Sequence, residues 1–149
     1  PYIPWHLTTR EFFHETRSHL RDQGALAINV GRTHTDRRLV EALSSTLLTV
    51  FPSVHVMDVP DTFNTILVAT VKPSTSENLV ANLENLPVDA HPFLRIALLR
   101  GVESLRPTHA TGPVFTDDRA PLEQLTNSIL LRYLLESSNT GLPDAGLSS

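Results

Sequence analysis

The sequence predicts an α/β fold in which a parallel sheet lies between two layers of helices, and three observations lead to this prediction. Residues 24–31 read GALAINVG, a short apolar run between glycines that lacks the polar alternation of a strand with one wet face. Helical patterns lie directly before and after this run. A second strand pattern, at residues 54–59, follows the second helix. Two strands joined by a helix in this way are expected to be parallel, with a right-handed crossover.

The composition is that of one globular domain and excludes several classes of function. The chain has 149 residues, of which 40% are hydrophobic and 19% charged, and its formal net charge is −4. This acidic balance argues against a nucleic-acid groove. The absence of cysteine excludes disulfide scaffolds, thiolate zinc sites and cysteine nucleophiles.

No apolar run in the sequence approaches the roughly 18 residues of a membrane span, and no signal peptide opens the chain. We therefore expect no membrane insertion by this segment. The first residue is Pro1 rather than methionine, so we also expect a fragment of a longer protein.

The first helix is expected to begin at a capping box and to end at a glycine. Residues 8–11 (TTRE) have the form of such a box, with Thr8 as the N-cap and Glu11 reaching back to its amide. One side of the helix then carries Phe12, Phe13, Thr16 and Leu20. Gly24 can take the left-handed conformation at the C-terminal end.

The middle of the chain predicts a second helix and a pair of strands. Thr35 or Asp36 would cap a helix that runs to about Phe51, because its apolar residues recur at spacings of three and four. Residues 54–59 and 65–71 are both typical of strands. The short turn between them predicts an antiparallel hairpin.

The rest of the chain is predicted to be helical. Residues 74–77 (STSE) have the form of a second capping box, Pro92 opens a further helix, and Pro121 suits the first position of the last one. We expect residues 1–135 to form one domain. Residues 136–149 are small and polar and are expected to form a disordered tail.

Few residues suggest chemistry, and the two clearest motifs are incomplete. Residues 14–19 (HETRSH) resemble a zinc-protease helix, but the spacing places the two histidines about 140° apart around the helix, so no metal site is expected. No glycine-rich phosphate loop follows Gly31, so a dinucleotide-binding fingerprint is absent from this chain. The polar turn at residues 32–36 still lies at the carboxyl end of a strand, where such folds bind ligands.

Two further groups of residues have both a structural and a functional interpretation. Asp117 and Asp118 precede a predicted helix, where acids complement the helix dipole, or they receive a cationic ligand. Tyr2, Trp5 and His6 form either a packed aromatic loop or the wall of a pocket for an apolar or cationic chain.

A family resemblance adds to this interpretation. Residues 4–13 (PWHLTTREFF) resemble the segment of polyamine aminopropyltransferases, the spermidine synthases, that reads roughly proline, leucine, tyrosine or threonine, threonine, any residue, glutamate, phenylalanine. Residues 20–30 are similar to the stretch that leads into strand five of that family, with Gln23 in place of its first glycine. The hairpin and residues 116–123 (TDDRAPLE) resemble the bacterial spermidine synthase-like proteins that are often fused to membrane segments. The resemblance covers about residues 1–135.

The resemblance implies the C-terminal half of a class I methyltransferase-like Rossmann fold, in which parallel strands end in an antiparallel hairpin strand and are followed by helices. It implies a cytoplasmic enzyme, usually a homodimer, whose parent chain in some members carries a membrane anchor. This enzyme transfers an aminopropyl group from decarboxylated S-adenosylmethionine to a diamine such as putrescine, and no metal is expected.

By the same resemblance, the cofactor loop and the catalytic aspartate would precede Pro1, so the present chain would have no catalytic residue and no activity alone. Tyr2 and Trp5, with His6 beside them, would belong to the loop that covers the substrate. Phe63 would belong to the hairpin turn near it. Asp117 and Asp118 would hold the distal ammonium group of the diamine.

Two other interpretations stay open. The chain or its parent is a non-catalytic scaffold or dimerisation fragment, or it belongs to a methyltransferase that uses S-adenosylmethionine itself. The sequence before Pro1 would discriminate between them: an aspartate pair favours aminopropyl transfer, an Asn/Asp-Pro-Pro-aromatic motif favours methylation, and the loss of both favours the scaffold.

Overall fold

The computed structural model describes residues 4–119, 121, 124–125 and 127–131. After a 3-10 turn at Trp5–Leu7, the elements in chain order are α1 (Arg10–His19), β1 (Ala25–Gly31), α2 (Arg38–Leu48), β2 (Ser53–Asp58), β3 (Asn64–Thr70), α3 (Ser76–Glu84), α4 (Pro92–Ser104) and β4 (Arg106–Pro107). Residues 124–125 and 127–131 are also helical. The predicted order of helices and strands up to α4 is therefore confirmed. The predicted tail at residues 136–149 lies outside the described residues.

The four strands form one sheet in the order β1-β3-β2-β4, and every neighbouring pair is antiparallel. The predicted β2–β3 hairpin is confirmed. The predicted parallel sheet is wrong, because β3 returns from the hairpin turn into the place between β2 and β1. β1 and β2 run in the same direction, as expected, but they are not neighbours.

The hydrophobic core lies on one face of this sheet. Phe13 of α1 is fully buried, and α2 and the strands supply most of the remaining core residues: Leu39, Val40, Leu43, Leu47, Val30, Val54, Leu67 and Ala69. Phe115 and Ile129 add two side chains from the C-terminal part of the chain. The core therefore joins residues from both ends of the described chain.

β1 is half-exposed, so the prediction of a strand buried on both faces is wrong. Ala25, Ala27, Asn29 and Gly31 are exposed, whereas Val30 is buried, and Leu26 and Ile28 pack against the core. The exposed positions hold small residues rather than charged ones. Alanine and glycine at three of these four positions hid the period of two that marks a strand with one wet face.

The start of α1 lies one residue beyond the predicted position. Thr9, not Thr8, is the N-cap, and its Oγ1 accepts a hydrogen bond of 3.3 Å from the N–H of Phe12. Thr8 instead donates from Oγ1 to the carbonyl of Trp5, at 2.5 Å. The predicted capping box is therefore wrong, and Glu11 has other partners.

The other predicted helix ends differ from the structure in similar, local ways. α2 begins after Arg37, although Asp36 Oδ1 accepts a hydrogen bond from the N–H of Arg38 at 3.1 Å. The capping box of α3 is formed by Thr75 and Asn78 rather than by residues 74 and 77.

Two predictions about glycine and proline are also corrected. No glycine in the described part of the chain has a positive φ, so Gly24 does not end α1 in a left-handed conformation. Pro92 does open α4. Pro121 is not itself helical, and its carbonyl accepts a hydrogen bond of 3.0 Å from the N–H of Leu125.

α3 and α4 form a helical hairpin that is only partly packed on the sheet. Phe93 is 75% exposed, and Leu94, Ile96 and Leu99 are each nearly half-exposed. None of the helices in the described ranges is both long enough and apolar enough to cross a bilayer.

Candidate functional site

Polar side chains collect where β1 and β2 end, because the two strands run in the same direction and their carboxyl ends share one edge of the sheet. Asp58, the last residue of β2, accepts hydrogen bonds of 2.8 and 3.0 Å from the guanidinium group of Arg37. Thr65 Oγ1 donates to the same carboxylate at 2.6 Å, and Arg32 Nε lies 3.3 Å from it. We call these four residues the Asp58 cluster.

The Asp58 cluster is an ion network rather than a source of acid–base catalysis. The guanidinium group of Arg37, with smaller contributions from Thr65 and Arg32, lowers the pKa of the Asp58 carboxyl below its ordinary value. A carboxylate that is ionised and occupied by three donors is a poor proton acceptor at neutral pH. Part of this cluster could be anticipated, since Arg32 lies in the polar turn of residues 32–36 that follows the first predicted strand, whereas Asp58 falls inside the predicted strand at residues 54–59.

Phe63 lies beside this cluster, in the turn between β2 and β3. Its ring packs edge-on against His34, with ring centroids 5.0 Å apart. The carbonyl of Phe63 also accepts a hydrogen bond of 2.8 Å from the N–H of Arg32. Phe63 is 41% exposed. It therefore lies at the edge of the sheet formed by the carboxyl ends of β1 and β2.

The loop before α1 holds two of the other predicted site residues. Trp5 and His6 are exposed, and their rings meet edge to face with centroids 5.8 Å apart. Thr8 and Thr9, which follow in the sequence, are buried. Tyr2 lies outside the described residues, so its predicted role stays a prediction.

Residues 111–115 form a strap that crosses α2. Ser45 Oγ accepts hydrogen bonds from the N–H groups of residues 111 and 112, at 3.1 and 2.9 Å. Thr46 Oγ1 accepts another from the N–H of Phe115, at 2.9 Å. The buried hydroxyl groups of α2 therefore satisfy the backbone of the strap.

The strap brings Asp117 and Asp118 to the N-terminus of α1. The N–H of Arg10 donates to the carbonyl of Phe115 at 2.9 Å, and the N–H of Asp117 donates to Glu11 Oε2 at 3.1 Å. Asp117 and Asp118 are exposed and occupy a tight turn closed by paired hydrogen bonds between residues 116 and 119. They thus lie next to the segment that begins with Trp5 and His6.

Glu11 contacts the turn of residues 116–119, a contact that the sequence did not predict. Its own backbone N–H, the guanidinium group of Arg10 and the N–H of Asp117 lower the pKa of its carboxyl. Glu11 therefore carries a negative charge that fixes the turn of residues 116–119. The sequence contained no signal for this contact, because its two partners lie 106 residues apart.

The turn of residues 116–119 and Glu11 suit an organic cation, such as an ammonium group, better than a coordinated metal ion. The turn of residues 116–119, which contacts Glu11, carries two exposed acids, Asp117 and Asp118. Arg119 in the same turn and Arg10, at 2.9 Å from Glu11, offset part of this negative charge. Within the residues that the structure describes, no three His, Asp or Glu side chains converge in a way that could hold a metal ion. A groove lined by residues 19–25 lies at the opposite end of β1 and contains none of the predicted site residues.

Comparison with known proteins gives a distant similarity. The chain matches a probable spermidine synthase from Corynebacterium glutamicum at 22% identity and a TM-score of 0.49, over 76% of this chain and 43% of that one. The chain therefore spans less than half the length of that protein. No protein-family model and no curated protein matches it.

Proposed function

We propose that this chain is the C-terminal part of a spermidine synthase-like Rossmann domain, and that the whole protein moves an aminopropyl group from decarboxylated S-adenosylmethionine to a diamine such as putrescine. The observation that carries this proposal is the contact between the two segments that resemble the family. Glu11, in residues 4–13, accepts a hydrogen bond from the N–H of Asp117, in the second of these segments, across 106 residues of sequence. The two segments that resemble the family thus lie side by side in the fold, as parts of one binding surface must.

The sheet supports the fold part of the proposal. β1 and β2 run in the same direction and β3 runs opposite to them, which fits a sheet whose parallel strands end in an antiparallel hairpin strand. β1 pairs only with β3 among the described strands, and its seven residues include no charged residue and no proline. Because natural proteins protect exposed sheet edges with such residues, we infer that a strand from the preceding part of the protein pairs with β1.

The proposed chemistry assigns a binding role to the residues of this chain. A protonated diamine is a poor nucleophile, so a carboxylate must accept a proton and hold the amine in line with the sulfonium group. The family resemblance implies that this carboxylate lies before Pro1. Asp58 does not take that role in our proposal, because Arg37 and Thr65 already bind its carboxylate. Asp117 and Asp118 then hold the distal ammonium group.

The aromatic residues complete the proposed substrate-binding surface. We assign Trp5 and His6, together with Tyr2 before them in the sequence, to the loop that covers the substrate, and Phe63 to the hairpin turn near it. An exposed aromatic face attracts an ammonium group or packs on the methylene chain between two of them. We also propose that the whole protein is a cytoplasmic homodimer and that its longer chain carries a membrane anchor.

The test is an aminopropyl-transfer assay on the protein that includes the sequence before Pro1. Release of methylthioadenosine from decarboxylated S-adenosylmethionine is measured with putrescine as acceptor. The variant with Asp117→Asn and Asp118→Asn is expected to raise KM for the diamine about 2- to 30-fold, with kcat nearly unchanged, because each of the two exposed ion pairs contributes about 0.2–1 kcal/mol. Asp89→Asn, at an exposed position in the loop before α4, is the matched control.

Other outcomes identify the alternatives. Transfer of a methyl group from S-adenosylmethionine would replace the proposal with a methyltransferase. Absence of both activities in the longer protein would favour a scaffold. An unchanged KM in the double variant, with activity present, would leave Asp117 and Asp118 as turn residues only.

A further inference from the structure

His55 is buried at the place where the α3–α4 hairpin joins the sheet. Its side chain is 3% exposed. Its Nε2 lies 3.0 Å from Ser74 Oγ, in the segment that leads into α3. In the sheet, His55 is paired with Pro107 of β4, the strand that follows α4. His55 thus lies between the two chain segments by which the hairpin is attached.

Ser74 fastens the hairpin to the strands through three contacts. Besides the contact with His55, its Oγ lies 2.8 Å from Thr70 Oγ1, and its N–H donates to Ser53 Oγ at 3.0 Å. The rest of the hairpin has little packing to hold it, since most of α4 is exposed. Segments with few buried contacts open locally at a lower free energy than the core does.

The surroundings of His55 favour its neutral form. Its Nδ1 is buried and has no hydrogen-bond partner within the described residues. The charged and titratable side chains on the segments around it are all exposed: Lys72 after β3, Glu77 and Glu84 on α3, His91 at the N-cap of α4, Arg95, Arg100 and Glu103 on α4, and Arg106 on β4. β3 itself carries no charged residue, and Asp58, at the far end of β2, is held by Arg37. Burial accordingly lowers the pKa of His55.

We propose that His55 is a pH-sensitive latch, which holds the α3–α4 hairpin on the sheet while it is neutral and releases it when it is protonated. An imidazolium ion carries a proton on both ring nitrogens, and the proton on Nδ1 would face a buried site where no described residue accepts a hydrogen bond from it. Release exposes the ring to water, which solvates the charge. This inference is independent of the proposed enzymatic function.

The direction and size of the effect follow from linkage. The pKa of His55 is lower in the attached state than in the released state, where it takes the ordinary value of about 6.5. Attachment is therefore strongest above about pH 6.5 and weakens as the pH falls from there toward the lowered pKa. Between about pH 7.5 and 5.5 the equilibrium constant for release is expected to rise up to about tenfold.

Hydrogen exchange of the full 149-residue chain tests the latch. After correction for intrinsic exchange rates, protection factors of amides in α4 are expected to fall up to about tenfold between about pH 7.5 and 5.5. Those of Leu43 and Leu47 in α2 should stay constant. His55→Gln should abolish the pH response of α4, whereas His14→Gln, at an exposed position of α1, should retain it.

Three results would overturn the proposal. The first is a parallel loss of protection in α2, which would indicate global unfolding. The second is an unchanged pH response of α4 in His55→Gln. The third comes from an NMR titration of the His55 ring in the unaltered chain, which decides the question if His55→Gln does not fold. A pKa of His55 at or above about 6.5 in the attached state would overturn the proposal.

Discussion

Replacing Gly112 with alanine tests whether the strap of residues 111–115 rests directly on the backbone of α2. A Cβ atom at this position would lie 2.7 Å from both the amide nitrogen of Ala42 and the carbonyl carbon of Glu41. These atoms belong to a helix backbone and cannot rotate aside as a side chain does. Gly112 does not have a positive φ, so the expected effect is steric rather than conformational.

The magnitude follows from three contributions. Overpacking of a tight contact costs about 1–3 kcal/mol. A shift of the strap also lengthens the hydrogen bonds to Ser45, which stabilise the fold by about 1 kcal/mol each. Alanine also lowers the conformational entropy of the unfolded chain, and this effect raises the free energy of unfolding by about 0.4–1 kcal/mol. Gly112→Ala is therefore expected to lower the free energy of unfolding by about 1–3 kcal/mol, and Tm by about 2–10 °C.

Urea unfolding followed by circular dichroism measures this loss, and two other glycines serve as controls. A Cβ on Gly31 would meet no atom within 4 Å, so Gly31→Ala should be neutral or slightly stabilising. A Cβ on Gly101 would meet the end of the flexible Leu79 side chain at 2.9 Å. Gly101→Ala is therefore expected to change stability by less than about 1 kcal/mol.

The comparison of the three variants gives a clear refutation. If Gly112→Ala is as stable as the original chain, the strap does not pack on α2 as described. The same conclusion follows if Gly31→Ala and Gly112→Ala lose equal amounts. In either case the path by which the strap carries Asp117 and Asp118 to α1 would also be wrong.

Two further predictions concern the start of α1 and the Asp58 cluster. Thr9→Ala removes the N-cap of α1 and should lower the free energy of unfolding by about 0.5–2 kcal/mol, whereas Thr9→Ser should retain most of it; equal losses in urea unfolding would contradict the cap. Because Arg37 lowers the pKa of Asp58, this residue stabilises the chain above the ordinary aspartate value of about 3.9, and that contribution is lost as the pH falls toward the lowered pKa. Urea unfolding between about pH 5 and 3 should therefore show a smaller loss of stability in Asp58→Asn than in Asp61→Asn, which changes an exposed turn residue. Equal losses of stability in the two variants would show that Asp58 does not contribute to the fall in stability at low pH.

Much of the local structure follows from residues that are close in sequence. The spacing of apolar residues predicts α2, and Pro92 marks the start of α4, because both signals act within a few turns of one helix. The short turn before β3 predicts the β2–β3 hairpin for the same reason. The N-cap of α1 was misplaced by one residue, since Thr8 and Thr9 have the same side chain and only the backbone conformation distinguishes them.

The strand order was decided by the tertiary structure. β3 takes the place beside β1 that a parallel β2 was expected to occupy, and a choice between two partners depends on contacts far along the chain. The site depended on the same kind of contact. Asp117 and Asp118 are recognisable as a pair of acids in the sequence, but their position beside Glu11 requires the strap, and the strap requires the buried hydroxyl groups of Ser45 and Thr46.

The sequence by itself therefore determined the order of the elements, the hairpin and the residues that can carry charge, because neighbours along the chain set these features. The tertiary structure alone decided which strands pair, which face of β1 is covered and which charges meet. Those outcomes depend on the burial of apolar surface and on hydrogen bonds between residues such as Glu11 and Asp117, 106 positions apart. A local sequence pattern cannot predict such a contact, because the two residues meet only when the long loop between them is closed by folding.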